Sequence, residues 1–223
     1  SDSLASSPVT SQAVTTAKYN EKLFCRAFYN RHKTKSIEPL GHVIDYQVPF
    51  REYDGAPHGD IDLLAQDGKR LFVLEVKDVD SGESLLKPVL QAYTYSRLLA
   101  SVRDRFLGNY SLHSDCTITP AVLTFDSAES GRNVRSLSVF RPQDYPNTKR
   151  LLNRLNEDLK AERIERCRFF LIDTGIEEQD EVREVKKSVR KLPYLGDGEL
   201  IVFRDSFTFE LKEVAGVDDG GET

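Results

Sequence analysis

Residues 60–77 read DIDLLAQDGKRLFVLEVK, two apolar runs that meet at an Asp67-Gly68 dipeptide. Runs of this kind on either side of Asp-Gly predict a β-hairpin. The second run, which continues to Val79, is almost continuously apolar. This composition is typical of a strand at the centre of a sheet, where helices cover both faces.

Two charged residues, Glu75 and Lys77, interrupt the second strand. Because burial of an unpaired charge costs several kcal/mol, each of them needs a partner. Side chains alternate along a strand, so both project from one face, and by the same rule Asp60 and Asp62 share a face of the preceding strand. A carboxylate of that strand can therefore lie beside Glu75. Neighbouring carboxylates repel each other unless a cation lies between them, whereas an ordinary cross-strand ion pair with Lys77 is the alternative.

A divalent cation suits this pattern. Mg²⁺ prefers a few carboxylates together with waters and phosphate oxygens, and Asp62, Glu75 and the main-chain carbonyl of Val76 would form such a partial shell, for Mg²⁺ or Mn²⁺. A metal in this position lowers the pKa of bound water and stabilises the charge that develops on a phosphodiester. Lys77 would then orient the attacking water or help to deprotonate it.

The flanking pattern predicts an α/β fold with a mixed sheet of four or five strands, flanked by helices and extended by C-terminal strands. The predicted elements are a helix over 16–31, a strand over 42–50, a helix over 85–102, a strand over 117–125, a charged helix over 146–166, a strand over 167–174 and one or two edge strands over 199–211. The strand–helix–strand order of 117–174 predicts parallel pairing.

Both ends of the chain differ in composition from the rest. Residues 1–14 are rich in Ser and lack periodicity, and residues 213–223 are rich in Gly and acidic residues, so we expect flexible termini. A single domain is predicted over 15–212, which is long enough for one complete core.

The overall charge gives no sign of a nucleic-acid partner. Thirty-one basic and thirty-six acidic residues give a net charge of -5. This balance argues mildly against a nuclease, which normally binds a polyanion, although local clusters of basic residues could still contact a nucleic-acid backbone. Cys25, Cys116 and Cys167 are far apart and lack C-x-x-C spacing, which excludes a disulfide framework or zinc knuckle. These unpaired cysteines fit a reducing cytoplasm best. Because no apolar run is long enough to span a membrane, we expect no membrane partner.

The order of these motifs resembles that of a known group of nucleases. D-I-D at 60–62, followed by E-V-K at 75–77, is similar to the motif of the PD-(D/E)xK superfamily, whose core is the restriction-endonuclease-like fold. Q-A-Y-T-Y at 91–95 adds a Q-x-x-x-Y element, and the combination resembles the RecB-like exonuclease branch. The resemblance covers roughly residues 17 to 125, including an acidic residue, Glu21, on the first helix.

The resemblance implies a role for each matching residue. The implied catalytic residues are Asp62, Glu75, Lys77 and Gln91; the implied metal shell is Asp62, Glu75, Val76 and Glu21; the implied substrate contacts are His58 and Tyr95. A helical Tyr facing a sheet is more often a core residue, and a loop His often has no role at all. Gly59 stands where the superfamily motif has Pro, which leaves Asp60 open as the ligand in place of Asp62.

The implied activity is metal-dependent hydrolysis of phosphodiester bonds, on DNA in preference to RNA. A homodimer is compatible with a superfamily whose members often cut two strands as pairs. Two alternatives stay open: a catalytically inactive nuclease-fold module that binds nucleic acid or a protein partner, and a nuclease that acts on RNA or in defence.

Overall fold

A mixed six-stranded sheet with helices on both faces organises the fold, in a computed structural model that describes residues 17–50, 59–139, 146–194, 196 and 198–214. Its helices are α1 (Ala17–His32), α2 (Leu86–Ser101), α3 (Arg103–Asn109), α4 (Glu129–Val139), α5 (Pro146–Ala161) and α6 (Glu178–Ser188). Its strands are β1 (His42–Pro49), β2 (Asp60–Asp67), β3 (Arg70–Lys77), β4 (Thr117–Phe125), β5 (Arg168–Asp173), β6 (Val189–Pro193), β7 (Glu199–Phe203) and β8 (Glu210–Val214).

The strands follow the order β1-β2-β3-β4-β5-β8 in the main sheet. β1, β2 and β3 form an antiparallel meander, while β3, β4 and β5 run parallel, which confirms the parallel pairing predicted for the last two. The predicted mixed sheet is confirmed: β1 to β5 are its five strands, and β8, a C-terminal strand, pairs with β5 and adds a sixth strand at the edge. β6 and β7 form a separate two-stranded sheet.

The central strand β3 is buried on both faces, as its apolar composition predicts. Phe72 and Leu74 belong to the core that contains Phe28 of α1. Leu71, one position before Phe72, packs in the opposite core with Leu99 of α2. Alternating side chains of one strand therefore hold a helix on each face of the sheet.

The sequence-based boundaries fail mainly in the second half of the chain. The helix predicted to reach residue 166 ends at Ala161, because Arg163 takes a left-handed conformation (φ 61°) and the chain then pairs with β4 through Ile164. Helices α3, α4 and α6 were not predicted as separate elements, and β8 reaches Val214, inside the segment assigned to the C-terminal tail. None of the described helices is long and apolar enough to cross a membrane.

The β6–β7 hairpin fixes the position of α1. Arg26 donates a hydrogen bond to the main-chain carbonyl of Glu199, and Asn30 donates one to that of Ile201. Arg31 reaches the carbonyl of Phe207 beyond β7 at 2.7 Å. These three hydrogen bonds to main-chain carbonyls hold α1 in a fixed position relative to the sheet.

His32, at the end of α1, is buried as a neutral ring. It packs against Phe28 and Phe209, and its Nδ1 lies 3.2 Å from the carbonyl oxygen of Lys35. A carbonyl only accepts, so Nδ1 carries the proton. Burial lowers the pKa of His32 from 6.5 to about 4.

Acidification should therefore destabilise the fold through His32. Its folded pKa lies below its unfolded pKa, so the unfolded state binds more protons and stability is lost as the pH falls below about 6.5. His32→Leu should lose less stability than the wild type between pH 7.5 and pH 5, by up to roughly 2 kcal/mol. Urea unfolding at both pH values measures this difference. His42→Leu, at an exposed histidine, is the matched control, and an unchanged pH dependence in His32→Leu would contradict the assignment.

Candidate functional site

The candidate site lies where β2 and β3 stop pairing. The last paired residues of the two strands are Leu63 and Leu74, and Asp62 and Glu75 come next. There the amide N–H of Val76 donates to Oδ2 of Asp62 at 2.9 Å. If the two strands continued to pair, an N–H group here would donate to a main-chain carbonyl of the other strand. The N–H of Val76 donates to the side chain of Asp62 instead. The hairpin opens, and the two carboxyl groups lie in the opening.

Asp62 and Glu75 form a buried carboxyl pair, with 7% and 2% of their surfaces exposed. Their carboxyl groups contact each other. Oδ1 of Asp62 accepts a hydrogen bond from Gln47 at 2.9 Å, whereas Oε1 of Glu75 receives none from any N–H or hydroxyl group of the described residues. Burial raises the pKa of both, and the charge of Asp62 raises that of Glu75 further.

Lys77 supplies the positive charge next to this pair. Its Nζ lies 3.2 Å from Oε2 of Glu21 and 3.4 Å from Oε2 of Glu83, and the residue is almost fully buried. Burial alone would lower the pKa of Lys77, but the surrounding carboxylates raise it above its usual value. Four carboxyl groups, those of Glu21, Asp62, Glu75 and Glu83, thus face one ammonium group. The cluster lacks positive charge.

Glu21 enters the site from the first turns of α1. Burial and the charge of Asp62 raise its pKa to about 7. Cys25, one helical turn later, is fully buried, and burial together with the charges of Asp62 and Glu21 raises the pKa of its thiol. The end of α1 that carries Glu21 thus lies against the same negative cluster.

Tyr95 and Gln91 lie four residues apart, on one face of α2. Burial and the charges of Glu75 and Asp62 raise the pKa of Tyr95 to about 12. Oε1 of Gln91 is buried and has no hydrogen-bond partner among the described residues.

The Tyr95 hydroxyl also explains the residue that precedes Asp60. Gly59 has a φ of +92°, and a Cβ at this position would lie 2.7 Å from that hydroxyl. Proline holds φ near -65°, so the Pro of the superfamily motif does not fit this backbone.

The structure separates the two aspartates of D-I-D. Asp62 lies at the carboxyl pair, while the side chain of Asp60 is 42% exposed and 4.0 Å from Nζ of Lys22. Asp60, which the sequence left open as the metal ligand in place of Asp62, thus lies toward the solvent. Val76 is buried between Glu75 and Lys77 on β3. His58, the predicted substrate contact, lies outside the described residues.

Two members of the cluster were not predicted. Gln47 lies on β1 directly across from Asp62, between the pairs Tyr46–Leu63 and Val48–Ile61, with a left-handed φ of 50°. A polar residue in a strand was its only sequence signal. Glu83 lies in the Ser- and Gly-containing connection to α2, where nothing in the sequence marks its contact with Lys77.

The donor set decides which cation could fit. No three His, Cys, Asp or Glu side chains are grouped for metal binding within the described part of the chain, so a closed structural zinc site does not match it. Two buried carboxyl groups in contact, one with an oxygen that receives no N–H or hydroxyl hydrogen bond, match an ion that completes its shell with water, main chain or substrate. Mg²⁺ and Mn²⁺ bind in this way.

Comparison with other proteins adds no family to this description. A scan against protein-family models and searches of the curated proteins and of the solved structures found no match. The interpretation of the site therefore depends on the geometry and charge of its own residues.

Removal of one charge from the pair should stabilise the metal-free protein. In EDTA at pH 8, Glu75→Gln should raise the free energy of unfolding by about 1–3 kcal/mol, because it removes a buried like charge with little change of shape. Chemical denaturation measures the change. Glu83→Gln is the matched control, since the same substitution there removes an ion pair with Lys77 and should give no gain. If Glu75→Gln instead lowers the free energy of unfolding, the negative charge of the pair is already balanced in the metal-free protein.

Proposed function

We propose that this chain is a metal-dependent nuclease that hydrolyses phosphodiester bonds of DNA, with a restriction-endonuclease-like core and the motif order of the RecB-like branch of the PD-(D/E)xK superfamily. The observation that carries the proposal is the buried Asp62–Glu75 pair beside Lys77, at the open end of the β2–β3 hairpin. This combination brings together two metal-binding carboxylates and one cationic donor at a break in the sheet.

A divalent metal ion would balance the negative charge of the carboxyl cluster. Asp62, Glu75 and the main-chain carbonyl of Val76 would hold Mg²⁺ or Mn²⁺, and Glu21 would complete the outer shell. When bound, the ion would polarise the phosphate and lower the pKa of the attacking water. Gln47 and the Val76 amide keep Asp62 in place through hydrogen bonds of 2.9 Å each. Ligands fixed in this way need little rearrangement to accept the ion.

Lys77 would orient the reacting groups. An ammonium group has three N–H donors, and Glu21 and Glu83 can take two of them. A third can point to the attacking water or to a phosphate oxygen. Hydrolysis adds the water oxygen to phosphorus, breaks the bond to the leaving sugar oxygen and transfers one proton from the water to that oxygen. Gln91 and Tyr95 would position the strand, since both line one groove on α2.

A second candidate is a nuclease-fold module that binds without cleavage. This module would bind nucleic acid or a protein partner, and the net charge of -5 favours the protein partner, because extended contact with a polyanion normally needs a basic surface. The presence of Asp62, Glu75 and Lys77 together favours catalysis, since an inactive module has no need to bury three ionisable groups at one end of a hairpin.

Metal-dependent cleavage is the direct test. The wild type should cut DNA in Mg²⁺ or Mn²⁺ and not in EDTA, and Lys77→Ala should lower kcat by about 10²- to 10⁴-fold while the protein stays folded. Asp62→Asn should be equally impaired, whereas Asp60→Asn, at the exposed aspartate, should stay within about twofold of the wild type. Gel assays on linear and circular DNA and on RNA measure these rates.

Two results would contradict the proposal. Full activity in Lys77→Ala would show that the catalytic centre lies elsewhere. A folded wild type that binds nucleic acid but cuts none of these substrates would favour the binding module.

A further inference from the structure

Strand β1 changes the face that its side chains occupy at Gln47. Tyr46 packs in the core that contains Phe28 of α1, whereas Val48 packs in the opposite core with Leu99 of α2. Side chains two positions apart on a regular strand lie on one face, so the alternation is broken at the residue between them. Gln47 is that residue, and its φ of 50° lies in the left-handed region.

Strand β2 makes the same change directly opposite. Leu63 packs in the core of α1 and Ile61 in the core of α2, although they are also two positions apart. Asp62 lies between them, and the strand register places it across from Gln47. The proposed metal ligand and the left-handed residue thus lie at the one level where both strands change face.

The left-handed backbone costs free energy at Gln47. A residue with a Cβ is disfavoured in this region, which glycine occupies without strain. Ser111 and Arg163 also have positive φ, but both lie two residues after the end of a helix, where a left-handed residue is common. Among these three, Gln47 alone lies within a strand. Strained residues of this kind persist where the surrounding structure holds them, and they are concentrated at functional sites.

The side chain of Gln47 gives a reason for the strain. Its Nε2 donates a hydrogen bond to Oδ1 of Asp62 at 2.9 Å, while the Val76 amide donates to Oδ2 at the same distance. A donor on each oxygen fixes the orientation of the carboxylate. Glycine would fit the backbone but has no side chain to donate. Glutamine at a position that favours glycine therefore points to a function of the side chain.

We propose that Gln47 is a positioning residue for the cation site, and that its left-handed backbone is strain retained for this role. The inference rests on the proposed function, because it assigns Asp62 to the ion. It extends the site to β1, a strand that carries neither the D-I-D nor the E-V-K motif. Gln47 acts through Asp62 and does not contact the ion itself. Glycine at this position would relieve the backbone and leave Asp62 less well oriented.

Alanine and glycine substitutions at Gln47 separate the side chain from the backbone. Gln47→Ala and Gln47→Gly both remove the hydrogen bond to Asp62, so both should weaken Mn²⁺ binding about tenfold. Only glycine relieves the left-handed backbone, so in EDTA Gln47→Gly should unfold roughly 2–4 °C above Gln47→Ala. At a regular strand position glycine is the less stable of the two. The free-ion electron paramagnetic resonance signal of Mn²⁺ and thermal unfolding measure the two effects.

Ser111 provides the matched control. It is exposed and has a φ of 54°, close to that of Gln47, in the turn after α3. Ser111→Gly should therefore unfold above Ser111→Ala by a similar interval, whereas neither variant should change the affinity for Mn²⁺. This pair distinguishes the relief of backbone strain from any effect on the cation site.

A double variant tests whether Gln47 acts through Asp62. If it does, Gln47→Ala should weaken Mn²⁺ binding by less than about twofold once Asp62→Asn is present, because the two losses are not additive. A further tenfold loss in the double variant would show that Gln47 contributes independently of Asp62, and the positioning role would be wrong.

The outcomes separate this inference from the proposed function. If both Gln47 variants keep the wild-type affinity for Mn²⁺ while Asp62→Asn is impaired, the cation site stands and the role of Gln47 is wrong. A lower unfolding temperature for Gln47→Gly than for Gln47→Ala also overturns the inference, since it would show that no strain is stored there. A wild type without saturable Mn²⁺ binding contradicts the inference and the proposed function together.

Discussion

Asp62 and Glu75 bring two carboxyl groups into contact below the surface, at the point where the strands of a hairpin separate. Burial of one charge costs several kcal/mol, and a second like charge at contact distance adds to that cost. Lys77 offsets only part of it, because Glu21 and Glu83 compete for the same ammonium group. An arrangement of this kind persists in a stable fold when the rest of the structure supports it and when a function requires it.

The rest of the fold provides that support. β3 is anchored by apolar cores on both faces, so the strand stays in place although its last residues carry charge. The β6–β7 hairpin holds α1 through main-chain acceptors, and α1 in turn brings Glu21 to Lys77. α2 places Tyr95 against Gly59, where only a residue without a side chain fits. Each wall of the site thus belongs to an element that is held independently of the site.

The sequence predicted the parts of the fold that depend on local pattern. The Asp67-Gly68 turn and the apolar run after it predicted the β2–β3 hairpin and its central strand, and both were confirmed. C-terminal edge strands were predicted over 199–211, but the bounds of the short, charged β8 and its place in the sheet were not, because its pairing with β5 depends on a contact between distant parts of the chain. The site shows the same division between local and long-range information. Strand alternation was enough to place Asp62, Glu75 and Lys77 together. The contacts of Gln47 and Glu83 arise only after the strands and the α2 connection are assembled.

We propose the buried Asp62–Glu75 pair as a site for a divalent cation. Titration with Mn²⁺, followed by the loss of the free-ion electron paramagnetic resonance signal, tests it without any assumption about substrate. We expect saturable binding of one ion per chain, weakened about tenfold or more in Asp62→Asn and retained in Asp60→Asn. Absence of saturable binding, or equal binding by Asp62→Asn and the wild type, would contradict it.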